Sequence, residues 1–208
     1  MNELPVTKVW LIRHGEPCES SRGRCYGKLD MGLSANGREQ IQLVANLLRD
    51  ELIHTVYASP RKRTTESASI LVEGRNCKVS MDARLSEIDF GDFEGRSYNE
   101  IAAMYPEIYQ QWMECPTETQ FPNGENFEQM RQRVLQALRE ILARHRGETI
   151  ALVSHGGVNR IVLADALGVL PANIFRISQD YAAINLLHFL GDYPSVKHVN
   201  VSALLWSF

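Results

Sequence analysis

Apolar positions along the chain keep two rhythms, and each rhythm predicts an element. Val9-Trp10-Leu11-Ile12 is a short unbroken apolar run. Such a run predicts a strand of a parallel sheet buried on both faces. A polar, glycine-bearing stretch from Glu16 to Leu33 follows. A loop that long in a compact domain is usually functional or disordered, and this one, which begins at an Arg-His pair, reads as the wall of a site. Ser34 then suits an N-cap, and Ile41, Val44, Leu47 and Leu48 fall on one face of the helix behind it. Thr55 to Ala58 predicts a second strand, Ser59-Pro60 ends it, and a helix is expected from about Arg63 through Leu71. Val79 to Met81 predicts a short strand. The stretch from Leu85 to Gly95 holds too much glycine and acid for a core element and predicts a loop.

The next region is less regular. Tyr98 to Tyr105 suits a helix, and Pro106 restarts the pattern. Ile108, Tyr109, Trp112 and Met113 form an apolar set that fits core packing or a cap presenting apolar side chains to a ligand. Asn126 and Gln129 have the spacing of a capping box. Behind them Phe127, Met130, Val134, Leu138 and Ile141 share one helical face, and Gly147 ends the helix. Thr149 to Val153 predicts a strand and Gly157 to Leu167 a helix, with Gly168 and Pro171 as punctuation. Ala183 to Leu190 and Val196 to Leu205 predict a final hairpin with Gly191 and Pro194 in its turn. Strand and helix alternate with no repeat and no linker, so the expected class is α/β with a mostly parallel sheet, as one domain over 1–208.

Composition narrows the function classes. The chain has 208 residues, 44% hydrophobic and 23% charged, which is an ordinary globular balance. Its net charge of -3 gives no broad basic field, so nucleic acid and anionic membrane are not the expected partners. No apolar run approaches a membrane span. Cys18, Cys25, Cys77 and Cys115 lack metal-finger spacing and read as reduced thiols, which places the chain in the cytoplasm. No signal peptide is read: charged Lys8 directly precedes the first strand. With no H-x-x-x-H and no carboxylate-histidine cluster, neither a metal nor another cofactor is expected.

The chemistry gathers at two strand ends. Arg13-His14-Gly15-Glu16 follows the first strand, and Ser154-His155-Gly156-Gly157 follows the strand begun at Thr149. Ligands of open α/β sheets bind outside the carboxyl ends of the strands. Two His-Gly steps there suggest two histidines facing one site. Arg63 falls between a strand end and a helix start, where anions are favoured.

Further blocks complete the pattern: Gly27-Lys28-Leu29-Asp30 with Leu33-Ser34, Ser59-Pro60-Arg61-Lys62-Arg63, Leu85-Ser86-Glu87, Phe90-Gly91-Asp92-Phe93-Glu94-Gly95, and Pro122-Asn123-Gly124-Glu125. In these blocks and in their order the chain resembles the histidine phosphatase superfamily, the phosphoglycerate-mutase-like fold. The resemblance implies a three-layer α/β/α sandwich with an edge strand of opposite direction, and the apolar set above makes about 96–121 the candidate cap segment. It implies a metal-independent phosphomonoesterase acting on a small phosphorylated metabolite. His14 would be the nucleophile and form a phosphohistidine, with Glu87 as the acid. Arg13, Arg63, His155, Gly156 and Ser20 would hold the phosphate.

The sequence between Glu87 and Gly95 lacks the longer insertion with Arg-His-Tyr-Gly that mutases carry. The chain is therefore more similar to the phosphatase branch, and its Tyr26-Gly27 and Asp30 region is similar to α-ribazole phosphatases and related broad-specificity enzymes. A cofactor-dependent phosphoglycerate mutase and a non-catalytic phospholigand-binding protein are the alternatives, and a homodimer is left open. Three positions depart from the usual family pattern. Ser20 stands where Asn is common, and Thr64 and Ser67 replace the common Ala and Thr.

Overall fold

The computed structural model describes residues 5–205. Six strands form one sheet: β1 (Val6–Arg13), β2 (Thr55–Ala58), β3 (Lys78–Met81), β4 (Thr149–Ser154), β5 (Ile184–Leu190) and β6 (Tyr193–Val201). Their spatial order is β3-β2-β4-β1-β5-β6. The first four are parallel to one another. β5 runs antiparallel to both β1 and β6. The strand of opposite direction thus lies one place in from the edge, where the resemblance implied the edge itself.

Alternation along the strands explains the three layers. Val9 and Leu11 of β1, with Ile150 and Leu152 of β4, face one core. That core contains α5 (Phe127–Arg144) and α6 (Gly156–Leu167). Trp10, Ile12, Ala151 and Val153 point the other way, to a core with α1 (Ala35–Leu47) and α2 (Lys62–Val72). Successive strand side chains point to opposite faces, so an unbroken apolar run is what a sheet covered on both sides requires. The caps form as the spacing predicts. The Ser34 side chain accepts from the Gly37 N–H, and Asn126 and Gln129 make a reciprocal capping box.

Two differences from the sequence reading have clear causes. The last strand begins at Tyr193 and ends at Val201, and Ala203–Leu205 is a 3-10 turn. Pro194 is paired with Phe189 inside the hairpin, and Gly191 at φ 61° with Asp192 makes the turn. An edge strand tolerates proline because its outer N–H groups need no ladder partner. The stretch from Leu85 to Gly95 is irregular as expected, yet Leu85 and Phe93 are fully buried. Phe93 packs against Tyr105, Trp112 and Phe121. These residues tie the loop to α3 (Tyr98–Met104) and α4 (Pro106–Glu114). Ile108, Tyr109 and Trp112 pack onto the first core, whereas Met113 of the same set is exposed.

Candidate active site

β1 and β4 are neighbours in register, with Arg13 opposite Ser154. Both His-Gly steps therefore leave the sheet at the same end. The His14 and His155 rings stand 5.2 Å apart, edge to face. The His14 backbone is locked between elements: its N–H donates to Ser154 O at 3.0 Å, and its carbonyl accepts from Ala182 N at 3.0 Å. Gly15 is required by close approach, since a Cβ there would collide with the backbone of Gly37.

His14 is 2% exposed. Its Nδ1 lies 2.7 Å from the carbonyl oxygen of Gly15. A carbonyl only accepts, so Nδ1 carries the proton and Nε2 keeps a bare lone pair. Burial first, then the charges of Arg13 and Arg63, push the imidazole well below its ordinary 6.5. The group is a neutral imidazole with a fixed tautomer, which is the form that can attack an electrophile. Histidine NMR should show His14 titrating well below its ordinary 6.5, its ring still neutral at a pH where a free imidazole has become protonated. A protonated His14 signal there would remove the poised lone pair.

Two arginines flank this ring, and carbonyl oxygens hold both. Arg13 Nη1 donates to Gln179 O at 2.5 Å, its Cζ lies 4.1 Å from the centre of the Tyr181 ring, and its buried Nε has no partner among the described residues. Arg63 is fully buried. Its Nη1 donates to Leu29 O at 2.8 Å and its Nη2 to Gly27 O at 2.7 Å. Its Nε donates to Nδ1 of His155 at 3.3 Å. Among the described residues, neither arginine makes an ion pair with a carboxylate. Their charge is oriented but not neutralised, which suits a site for an incoming dianion.

His155 stands beside His14 with both of its ring nitrogens engaged by protein groups. Its Nδ1 accepts from Arg63, so Nε2 carries the proton and donates to Ser59 Oγ at 2.9 Å. Burial and the charge of Arg63 push it well below 6.5, so it is neutral with both ring nitrogens engaged. Gly156 opens α6, and the space its missing side chain leaves is bounded by Arg160 and Arg13. Ser20 lies apart. It is exposed in a 3-10 turn, with its hydroxyl 3.0 Å from Cys18 Sγ, and it does not line the pocket around His14. The other two departures have structural partners. Thr64 Oγ1 donates to Ser59 O at 2.8 Å, and Ser67 Oγ accepts from Gly15 N at 3.3 Å.

Glu87 enters from the loop before Phe90. Its Oε1 accepts from Ile88 N and its Oε2 from Gly157 N, each at 3.0 Å. Gly157 has no Cβ to fill the space the carboxylate occupies. Glu87 lines both the polar pocket of His14, Arg13, Arg63 and His155 and an adjoining apolar chamber. Phe90, Trp112, Phe121, Phe127, Met130 and Ile174 wall that chamber. Trp112 thus packs on the core and lines the cavity.

Sequence reading missed Arg24, Tyr26 and Arg160 in the polar pocket, and Tyr181 beside it. Arg160 follows Gly156 by four residues, one helical turn, so the spacing pointed to it. Arg24 and Tyr26 lie in the loop read as site wall. Tyr181 had no sequence signal. Its hydroxyl lies 2.8 Å from that of Tyr26, which burial and this contact push upward, so it stays protonated. Among the described residues, no three His, Cys, Asp or Glu side chains are grouped to hold a metal ion. No helix there is long and apolar enough to cross a membrane.

The chain is similar to known proteins over nearly its whole length. The family described as the histidine phosphatase superfamily (branch 1) matches residues 9–202. Phosphoserine phosphatase 1 of Hydrogenobacter thermophilus is 32% identical, covering 98% of this chain and 96% of that protein. A metal-independent phosphoserine phosphatase of Arabidopsis thaliana is 31% identical over 77% of this chain and 68% of its own. Among solved structures, YhfR of Bacillus stearothermophilus superposes with a TM-score of 0.89 at 29% identity, covering 95% of this chain and 99% of that one. The α-ribazole phosphatase of Shigella flexneri gives 0.86 at 27% identity, covering 93% and 96%.

Proposed function

This chain belongs to the histidine phosphatase superfamily and is a phosphatase of it, and we propose that it works in two steps through a phosphohistidine on His14. The observation that carries the reading is the lone pair on His14 Nε2, held neutral between two arginines whose charges are unspent. A phosphate monoester dianion repels nucleophiles. Catalysis therefore needs its equatorial oxygens neutralised, a nucleophile aligned and the leaving oxygen protonated. Arg13 and Arg63 supply the first, His14 the second and Glu87 the third. The phosphoryl group passes to Nε2 as the ester P–O bond breaks and the Glu87 proton goes to the departing oxygen. In the second step the Glu87 carboxylate takes a proton from water, which displaces the phosphoryl group and restores His14.

Glu87 marks the side on which the leaving group lies, and the apolar chamber opens on that side. We take the substrate to be a small phosphomonoester whose leaving group reaches into this chamber. The segment over 96–121 supplies Trp112, Pro116 and Phe121 to it and acts as the cap. The free thiols of Cys18, Cys25, Cys77 and Cys115 agree with a reducing compartment.

Hydrolysis of a panel of phosphomonoesters in the presence of a strong chelator tests the reading. Activity is expected to persist, because guanidinium groups do the charge neutralisation a metal ion would otherwise supply. Loss under chelation, restored by magnesium, would require a different mechanism. Conversion of 3-phosphoglycerate to 2-phosphoglycerate at a rate above phosphate release would make the chain a mutase.

A further inference from the structure

The motif Phe90-Gly91-Asp92-Phe93-Glu94-Gly95 contributes no side chain to the reaction outlined above except a wall at Phe90. Glu94 nevertheless has an unusual set of partners. Its two carboxylate oxygens accept from four backbone N–H groups: Gly27 at 3.0 Å, Lys28 at 2.7 Å, Leu29 at 3.1 Å and Phe90 at 3.2 Å. Three of these belong to one stretch of the site loop. Their neighbours on the other side are the carbonyls of Gly27 and Leu29, which hold the two ends of the Arg63 guanidinium.

One peptide unit lies directly between the two charges. The carbonyl of Gly27 accepts from Arg63 Nη2 at 2.7 Å, and the N–H of the same unit, on Lys28, donates to Glu94 Oε1 at 2.7 Å. A carboxylate on the N–H polarises the amide and makes its oxygen a stronger acceptor. The carboxylate attracts Arg63 through this unit, and no ion pair joins the two side chains among the described residues. Among the described residues, three of the five guanidinium N–H groups are spent on Gly27, Leu29 and His155, which leaves two for a ligand.

We propose that Glu94 is a positioning residue for phosphate binding: by gathering the N–H groups of residues 27–29 it fixes the carbonyls that aim Arg63 at the phosphate. This arrangement holds a buried arginine in place without a carboxylate competing for the ligand's position. The proposal rests on the reading of Arg63 as a phosphate ligand.

A double-mutant cycle tests it. Glu94→Gln keeps shape and one acceptor oxygen but removes the charge. In the wild-type background kcat/KM for an aryl phosphate should fall about tenfold, the equivalent of one charge-assisted contact in the transition state. Inhibition by inorganic phosphate should weaken by about the same factor, since product phosphate uses the same guanidinium. In an Arg63→Ala background the same change should cost less than about twofold, because residues acting as one unit are not additive. Equal losses in both backgrounds would overturn the proposal, as would wild-type kinetics and phosphate inhibition in Glu94→Gln. If circular dichroism shows Glu94→Gln unfolded, Glu94→Asp, whose carboxylate is one methylene too short to gather the same N–H groups, is put through the same cycle with the same criteria. A fully active Arg63→Ala would instead refute the phosphate reading on which the proposal stands.

Discussion

His14→Ala is expected to lose roughly four orders of magnitude or more in turnover, the scale on which removal of a nucleophile acts. The fold should survive. Among the described residues the His14 side chain makes one hydrogen bond, to its neighbour Gly15, while the backbone bonds that lock the strand end, to Ser154 and from Ala182, do not involve it. The arginines that flank it are held by other carbonyls, so the alanine variant should still bind inorganic phosphate. Two measurements decide the matter. Rapid quench of the wild type followed by denaturing mass spectrometry should place a phosphoryl group on His14, and the alanine variant should show none. An alanine variant with wild-type turnover, or a phosphoryl group found on another residue, would end the assignment.

Glu87→Gln separates two kinds of substrate. An alkyl phosphate expels an alkoxide that needs a proton in the transition state, whereas an activated aryl phosphate expels a phenolate that leaves unaided. Glutamine keeps the shape, and its oxygen can still accept one of the two N–H groups of Ile88 and Gly157 that orient Glu87. It cannot deliver a proton. A general acid typically contributes about 10²–10⁴-fold, so alkyl esters should lose about that much. Release of an activated phenolate in a single turnover should suffer far less. Breakdown of the phosphohistidine should slow for every substrate, because the same carboxylate would deprotonate water. Equal slowing of the first step for both ester types would move the role to another carboxylate, with Asp89 and Asp92 in the same loop as the candidates to test. Asp89 is engaged by Lys28 at 2.7 Å and Asp92 lies 3.1 Å from the Asn123 amide, and neither lines the pocket around His14 as Glu87 does.

How the site was read from sequence follows from where its residues stand in the chain. Arg13-His14 and His155 could be found because each ends an apolar strand, and strand ends on one edge of a parallel sheet are where ligands lie. Arg63 and Glu87 were recognisable only within the ordered blocks, since an arginine near a helix start and a glutamate in a loop carry little signal alone. Ser20 shows the limit of that approach. Its place in the block pattern suggested a phosphate contact, but the 3-10 turn from Glu19 to Ser21 leaves it exposed and bonded to Cys18. Counting along a loop does not fix which way a side chain points, because irregular backbone has no period to project it.

The sequence by itself determined the α/β class, both covered faces of the sheet, the helix caps at Ser34 and Asn126, and the family. Each is written in short-range patterns, such as apolar periodicity, capping spacing and contiguous blocks, that need no knowledge of distant partners. The tertiary structure alone decided that β5 turns back one place from the edge and that His155 is neutral with both nitrogens engaged. It also decided that Arg160 and Tyr181 border the site and that carbonyls rather than carboxylates hold the two arginines. These depend on contacts between residues far apart in the chain. Arg13 meets Gln179 across 166 positions and Arg63 meets His155 across 92, and protonation and orientation follow from burial and neighbouring charge, which exist only once those segments have packed.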